Sequence, residues 1–143
     1  MIEDNKATVR RLFDEYLNRH DTALESLLYA DAVFRAPAGE LRGEAHRQFL
    51  LSIFSAFPDV HYDLVDQIAE GDKVASRWRC VATHRGEFMG VAPTGKQVTV
   101  TGLTINRIVN GKIVEESVQW DTLGLMRQLG AVAPVRVEEH IAA

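Results

Sequence analysis

The stretch QVTVTGLTINRIVNGKIVEESVQW, running from Gln97 to Trp120, decides the fold. Two runs rich in Val, Ile and Thr flank Asn110-Gly111. Such β-branched residues suit a pleated, half-buried surface, and Asn-Gly is the dipeptide a two-residue type I′ hairpin prefers. The stretch therefore reads as one long strand over 97–109, a tight turn, and a second strand over 112–120 paired antiparallel to the first.

Reading back from this hairpin, a Gly-rich link (Gly86, Gly90, Pro93, Gly95) precedes it. Before the link, Val74 to Thr83 alternates strongly around Trp78. The turn Glu70-Gly71-Asp72 joins this strand to another over Val60–Ile68. Upstream of Pro58 the period becomes helical. One helix starts after Gly43 and carries His46, Phe49, Leu50, Ile53, Phe54 and Phe57. A brief strand over Asp31–Arg35, stopped by Pro37 and Gly39, and a short helix over residues 22–29 come before it. The first helix runs from about Asp4 to Asn18, with Val9, Leu12, Phe13, Tyr16 and Leu17 on one apolar stripe. Downstream of the hairpin a last short helix holds Leu123, Leu125, Met126 and Leu129, with Gly130 placed to end it. Residues 1–133 thus make one domain and 134–143 a loose tail.

Helices first and some four antiparallel strands afterwards imply an α+β fold with the helices on one face of the sheet. A long twisted sheet curls around such helices and leaves a concave space where a small molecule can sit. Composition narrows the partners. The chain has 143 residues, 46% hydrophobic and 25% charged, as a folded globule has. Its formal net charge is −4 with no basic run, so neither nucleic acid nor a membrane surface is an expected partner. The single cysteine, Cys80, forbids an internal disulfide and fits a cytoplasmic location; it reads as a small apolar strand residue. The first eleven residues lack the apolar core of a signal peptide, and no apolar run approaches the ~20 residues that cross a bilayer.

Several strings resemble one family. Ile68-Ala69-Glu70-Gly71-Asp72-Lys73-Val74-Ala75, then Thr83-His84-Arg85-Gly86-Glu87-Phe88 and Pro93-Thr94-Gly95-Lys96, then Asn110-Gly111-Lys112-Ile113-Val114-Glu115-Glu116 and Trp120-Asp121-Thr122-Leu123-Gly124-Leu125-Met126-Arg127-Gln128-Leu129-Gly130 follow the order and spacing of the SnoaL-like polyketide cyclases. The resemblance covers about residues 3–130. It implies the nuclear-transport-factor-2-like fold, a cone-shaped curved antiparallel (mixed) sheet wrapped around N-terminal helices. It also implies a homodimer, and ring closure of a polycarbonyl guest by intramolecular aldol chemistry with no metal or nucleotide cofactor.

On the last strand, Ser117, Gln119 and Asp121 share one face, and Val114, Glu116, Val118 and Trp120 share the other. The resemblance turns the aspartate face into the cone and makes Asp121 the acid/base residue. A carboxylate in an apolar pocket becomes a stronger base, which suits proton removal from carbon between two carbonyls. Asp121 also precedes a helix and can be its N-cap. His84 continues the face of Trp78 and Cys80; it can stabilise oxygen charge, or simply structure the turn at Gly86. Tyr16, Trp78, Asn106, Ser117 and Gln119 are the candidate substrate contacts. Either Thr104 with Asn106 or Ile105 with Arg107 lines the pocket. His20, His46, His61 and His140 read as surface or structural residues.

Ala36 before Pro37-Ala38-Gly39 stands where a ketosteroid isomerase has its aspartate base, and no aspartate follows Arg77 or Arg79 as in limonene epoxide hydrolases. No phosphate-binding loop, dinucleotide fingerprint, nucleophile elbow or zinc-protease motif occurs. The expected function is cofactor-independent acid/base catalysis on a small apolar molecule, a lyase or isomerase reaction. The alternative is a non-catalytic binding or accessory dimer of the same fold.

Overall fold

Asn110 and Gly111 both take positive φ, 51° and 75°, as the type I′ turn requires, and they bring β5 (Gln97–Val109) against β6 (Lys112–Trp120). These two strands run between the residues their pattern marks. A second tight turn at Gly71, φ 60°, joins β3 (His61–Glu70) to β4 (Lys73–Thr83), and β4 pairs antiparallel with β5 along its whole length. The computed structural model describes residues 2–20 and 28–133. Within them β1 (Leu28–Ala36) lies parallel to β6, and β2 (Gly39–Arg42) closes a hairpin on β1. The result is one curved, open six-stranded sheet in the order β2-β1-β6-β5-β4-β3.

The sheet is thus larger than the four or so strands read from the sequence, and it is mixed, as the resemblance implies. β2 has four residues, three of them exposed, and so carries no apolar alternation to announce it. β1 pairs with a strand some eighty positions away, Phe34 facing Glu116, and no local pattern encodes such a pairing. Leu28, expected in a short helix, opens β1; the rest of that expected helix and the tail from residue 134 lie mostly or wholly outside the described residues.

Helix α1 (Ile2–Arg11) continues as a π-helical stretch over Leu12–Leu17, and together they bury Val9, Leu12, Phe13 and Tyr16. Helix α2 (Glu44–Ala56) buries His46, Leu50, Phe54 and Ala56 at helical spacing. Both stripes pack on the inner face of the sheet, where Val74, Ser76, Trp78, Cys80 and Ala82 of β4 alternate inward. On β5 the even-numbered residues point inward, among them Val98, Val100, Thr104, Asn106 and Ile108. Burying one large apolar side chain of this kind contributes ~1.5–3 kcal/mol. The last helix, α3 (Thr122–Gln128), follows β6 after Asp121 and stops short of Gly130, φ 76°.

Cross-strand pairs share a face of a sheet. Asn106 pairs with Glu116, Thr104 with Val118 and Gly102 with Trp120, so Glu116, Val118 and Trp120 point inward with the even residues of β5. Ser117 and Gln119, opposite Ile105 and Leu103, belong to the outer face, the reverse of the orientation expected above.

Candidate functional site

A cavity of about 110 Å³ lies between the inner face of the sheet and helices α1 and α2. That is somewhat smaller than an engineered apolar void of about 150 Å³ that takes up benzene. Its wall is aromatic and aliphatic. Phe13, Phe34, Phe49 and Phe57 come from the helices and β1, and Tyr62, Trp78, Phe88 and Trp120 from the sheet and its loop. Leu, Ile and Val side chains, with Cys80 and Ala82, fill the gaps. Burial holds the Cys80 thiol up at about 11 and pushes the Tyr62 hydroxyl higher still, so both keep their protons near neutrality.

Trp78 lies across β5 because the residue beneath it is Gly102. A Cβ at that position would collide with the indole ring. From there Trp78 Nε1 donates to Thr104 Oγ1 at 2.9 Å, and the ring meets Tyr62 edge-on at 5.2 Å. The hydroxyl of Thr104 therefore reaches the cavity with a lone pair already engaged.

Glu116 is the one carboxylate among the described lining residues, and no Lys or Arg lines the cavity with it. It is 8% exposed. Loss of hydration raises its pKa to about 7 from the ordinary 4.5, opposed by a hydrogen bond that Asn106 Nδ2 donates to Oε1 at 3.0 Å. Its other oxygen, Oε2, stands 3.6 Å from His46 Nε2. His46 enters from α2, is 5% exposed, and stacks on Phe34 with ring centres 4.3 Å apart. A carboxyl group poised near neutrality in an apolar enclosure can both take and return a proton.

The residues singled out from sequence fall into four groups. Trp78 lines the cavity and Asn106 holds its carboxylate, and Thr104 with Asn106, not Ile105 with Arg107, faces inward. Tyr16 is buried beside Phe54, 6.5 Å between ring centres, behind the lining rather than in it. Ser117, Gln119 and Asp121 lie away from the cavity. The Asp121 side chain is exposed and accepts from Gly124 N at 2.9 Å, which makes it the N-cap of α3.

His84 is fully buried at the start of the Gly-rich link. Its Nδ1 accepts from Thr94 N at 3.2 Å and lies 3.0 Å from Thr94 Oγ1, and its ring leans on Phe57. It pins the loop and does not line the cavity. Glu116 and His46 are the functional candidates the sequence reading passed over. The signal for His46 was its place on the apolar stripe of α2. The signal for Glu116 was a carboxylate alternating with Val118 and Trp120. Among the described residues no three His, Cys, Asp or Glu side chains converge as a metal ion needs, and no helix is long and apolar enough to cross a membrane.

Comparison with known proteins agrees with this fold. The family model described as SnoaL-like polyketide cyclase matches residues 7–129. No curated protein matches the sequence. Among solved structures, AclR from Streptomyces galilaeus, a candidate hydroxylase, is 29% identical with a TM-score of 0.88, covering 100% of this chain and 95% of its own. IdmH from Streptomyces antibioticus, a candidate polyketide cyclase, is 30% identical with a TM-score of 0.78, covering 88% and 98%. A SnoaL-like candidate cyclase from Jannaschia sp. CCS1 is 26% identical with a TM-score of 0.84, covering 92% and 95%.

Proposed function

This chain belongs to the SnoaL-like polyketide cyclase family, and on that premise we propose that it is a cofactor-independent enzyme in which Glu116 moves a proton on an apolar, carbonyl-bearing guest. The observation that carries the reading is a single buried carboxyl group, its pKa pushed up to about 7 by lost hydration, in a cavity whose lining is apolar apart from it and the Thr104 hydroxyl.

In the ionised form Glu116 takes a proton from carbon flanked by two carbonyls, leaving an enolate. The Thr104 hydroxyl, whose lone pair accepts from Trp78, donates to the enolate oxygen. The enolate carbon then forms a bond to a second carbonyl carbon of the same molecule. That carbonyl oxygen becomes an alkoxide, and protonated Glu116 returns its proton there, which restores the carboxylate. The aromatic walls hold the reacting chain folded and exclude water. The family setting adds a homodimer. Leu103, Ile105, Val65 and Ile68 leave an apolar strip on the outer face, 42% to 69% exposed, which a second copy can cover.

The similarity to AclR favours a second reading, hydroxylation at the same carbon. It starts with the same proton removal; dioxygen then adds to the carbanion to give a hydroperoxide, and a two-electron reductant supplied from solution removes one oxygen as water and leaves the alcohol. One experiment addresses both. Wild type and Glu116→Gln are incubated in D2O with an aryl β-keto ester that carries a further ketone within reach of ring closure, and exchange at the activated carbon is followed by NMR and mass spectrometry. Exchange above the buffer rate that vanishes in the variant supports the reading. An isomeric product favours cyclisation, and a gained oxygen atom favours hydroxylation. An ester that raises Tm without any exchange contradicts catalysis and leaves a binding module.

A further inference from the structure

We propose that His46 is a positioning residue for the cavity carboxylate: its Nε2–H is the donor that seats Glu116 and favours its ionised form. The catalytic consequence rests on the reading of Glu116 as proton carrier; the contact itself does not. Three observations carry it. His46 is almost fully buried on the inward stripe of α2 although it is a polar ring. Its stack on Phe34, with planes only 16° apart, fixes the ring's orientation. That orientation brings Nε2 to 3.6 Å from Glu116 Oε2, on the opposite side of the carboxyl from the 3.0 Å Asn106 bond to Oε1.

The separation exceeds a made hydrogen bond by roughly half an ångström. Contacts of this kind commonly close only when a guest or a charge completes the site. The two flanking groups come from different layers, α2 and β5, so closure of the His46 contact would hold the carboxyl group between helix and sheet.

Among the described residues, the surroundings leave His46 as the nearest titratable neighbour. On β1 and β2, Asp31, Arg35, Glu40 and Arg42 are exposed; on α2, Glu44 and Arg47 are exposed. Glu115 and Arg107, which pair with each other at 3.0 Å, belong to the outer side of β6 and β5. Tyr62 and Cys80, on the inner face of β3 and β4, stay protonated near neutrality. His84, on the inner side at the end of β4, is tied to Thr94, and His20 stacks on Phe54 of α2. A donor to the carboxylate lowers its proton affinity, and so offsets part of the rise that burial causes.

The test is a carbon-13 NMR titration of glutamate-labelled protein, with the Glu116 signal assigned by its loss in Glu116→Gln. His46→Phe keeps a ring for Phe34 to stack on and removes the donor. It is expected to raise the Glu116 midpoint by about one unit, roughly tenfold tighter proton binding. His46→Gln restores a donor and is expected to bring the midpoint back toward wild type. Both variants are first checked for a wild-type amide spectrum, and if His46→Phe fails that check, His46→Leu takes its place. A Glu116 midpoint unmoved in a folded donor-less variant, or one moved equally by Gln, overturns the proposal. A shifted midpoint together with unimpaired carbon–hydrogen exchange in Glu116→Gln upholds the His46 contact and overturns the proton-carrier reading instead.

Discussion

Glu116 and Asp121 stand five positions apart on one run of chain, and they show how position on a strand decides what a carboxylate can do. Glu116 faces the inner side of β6, surrounded by aromatic rings, and its pKa rises to about 7. Asp121, one residue past the end of β6, faces solvent and accepts a backbone N–H of α3. One group is poised to exchange a proton at neutral pH. The other is a structural cap whose carboxylate complements the N-terminus of a helix.

The widest separation between the two is expected in turnover. Glu116→Gln should lower proton transfer on an aryl β-keto ester by ~100-fold or more, whereas Asp121→Asn should leave it near the wild-type rate, both read from exchange kinetics. A loss in Asp121→Asn equal to that in Glu116→Gln would erase the distinction.

The next effect concerns stability against pH. The folded pKa of Glu116 lies above its unfolded value, so the stabilisation is complete below about pH 4.5 and is lost as pH rises through about 7. Asp59 and Glu115 act in the opposite sense. Bonds from Thr83 and from Arg107 hold their pKa values down, so their contributions disappear in acid. Comparing wild type with Glu116→Gln cancels those shared terms. The stability gained by the variant relative to wild type should grow by about 3 kcal/mol between pH 4.5 and pH 8, by urea unfolding.

Smaller effects test the supports of each region. Gly102→Ala drives a methyl group into the Trp78 indole and should destabilise by ~1–3 kcal/mol, with Trp78 emission shifted as the ring leaves its place. Asp121→Ala removes only the cap and should lower stability by about 1 kcal/mol in thermal unfolding, with exchange kinetics unchanged.

The hairpin Gln97–Trp120 was fully legible, because Asn110-Gly111 and the β-branched runs encode it locally. The alternation of β4 around Trp78 and the stripe of α2 were legible for the same reason. The parallel pairing of β1 with β6 was not, since it depends on residues distant in sequence, and β2 was too short and polar to leave a pattern. The two faces of β6 could be separated from sequence, but each mixes polar and apolar residues. Which face turns inward follows from its pairing with β5, where Asn106 stands beside Glu116. The family resemblance turns the Asp121 face inward, whereas pairing with β5 turns it out, and a polar residue on an apolar stripe, as His46 is on α2, reads as structural from sequence alone.

The central claim is that the cone shelters a carboxyl group that ionises near neutrality. The most direct measurement is the carbon-13 titration of Glu116 in the wild-type protein. A midpoint near pH 7 is predicted; a midpoint at the ordinary carboxylate value, near 4.5, would contradict the account.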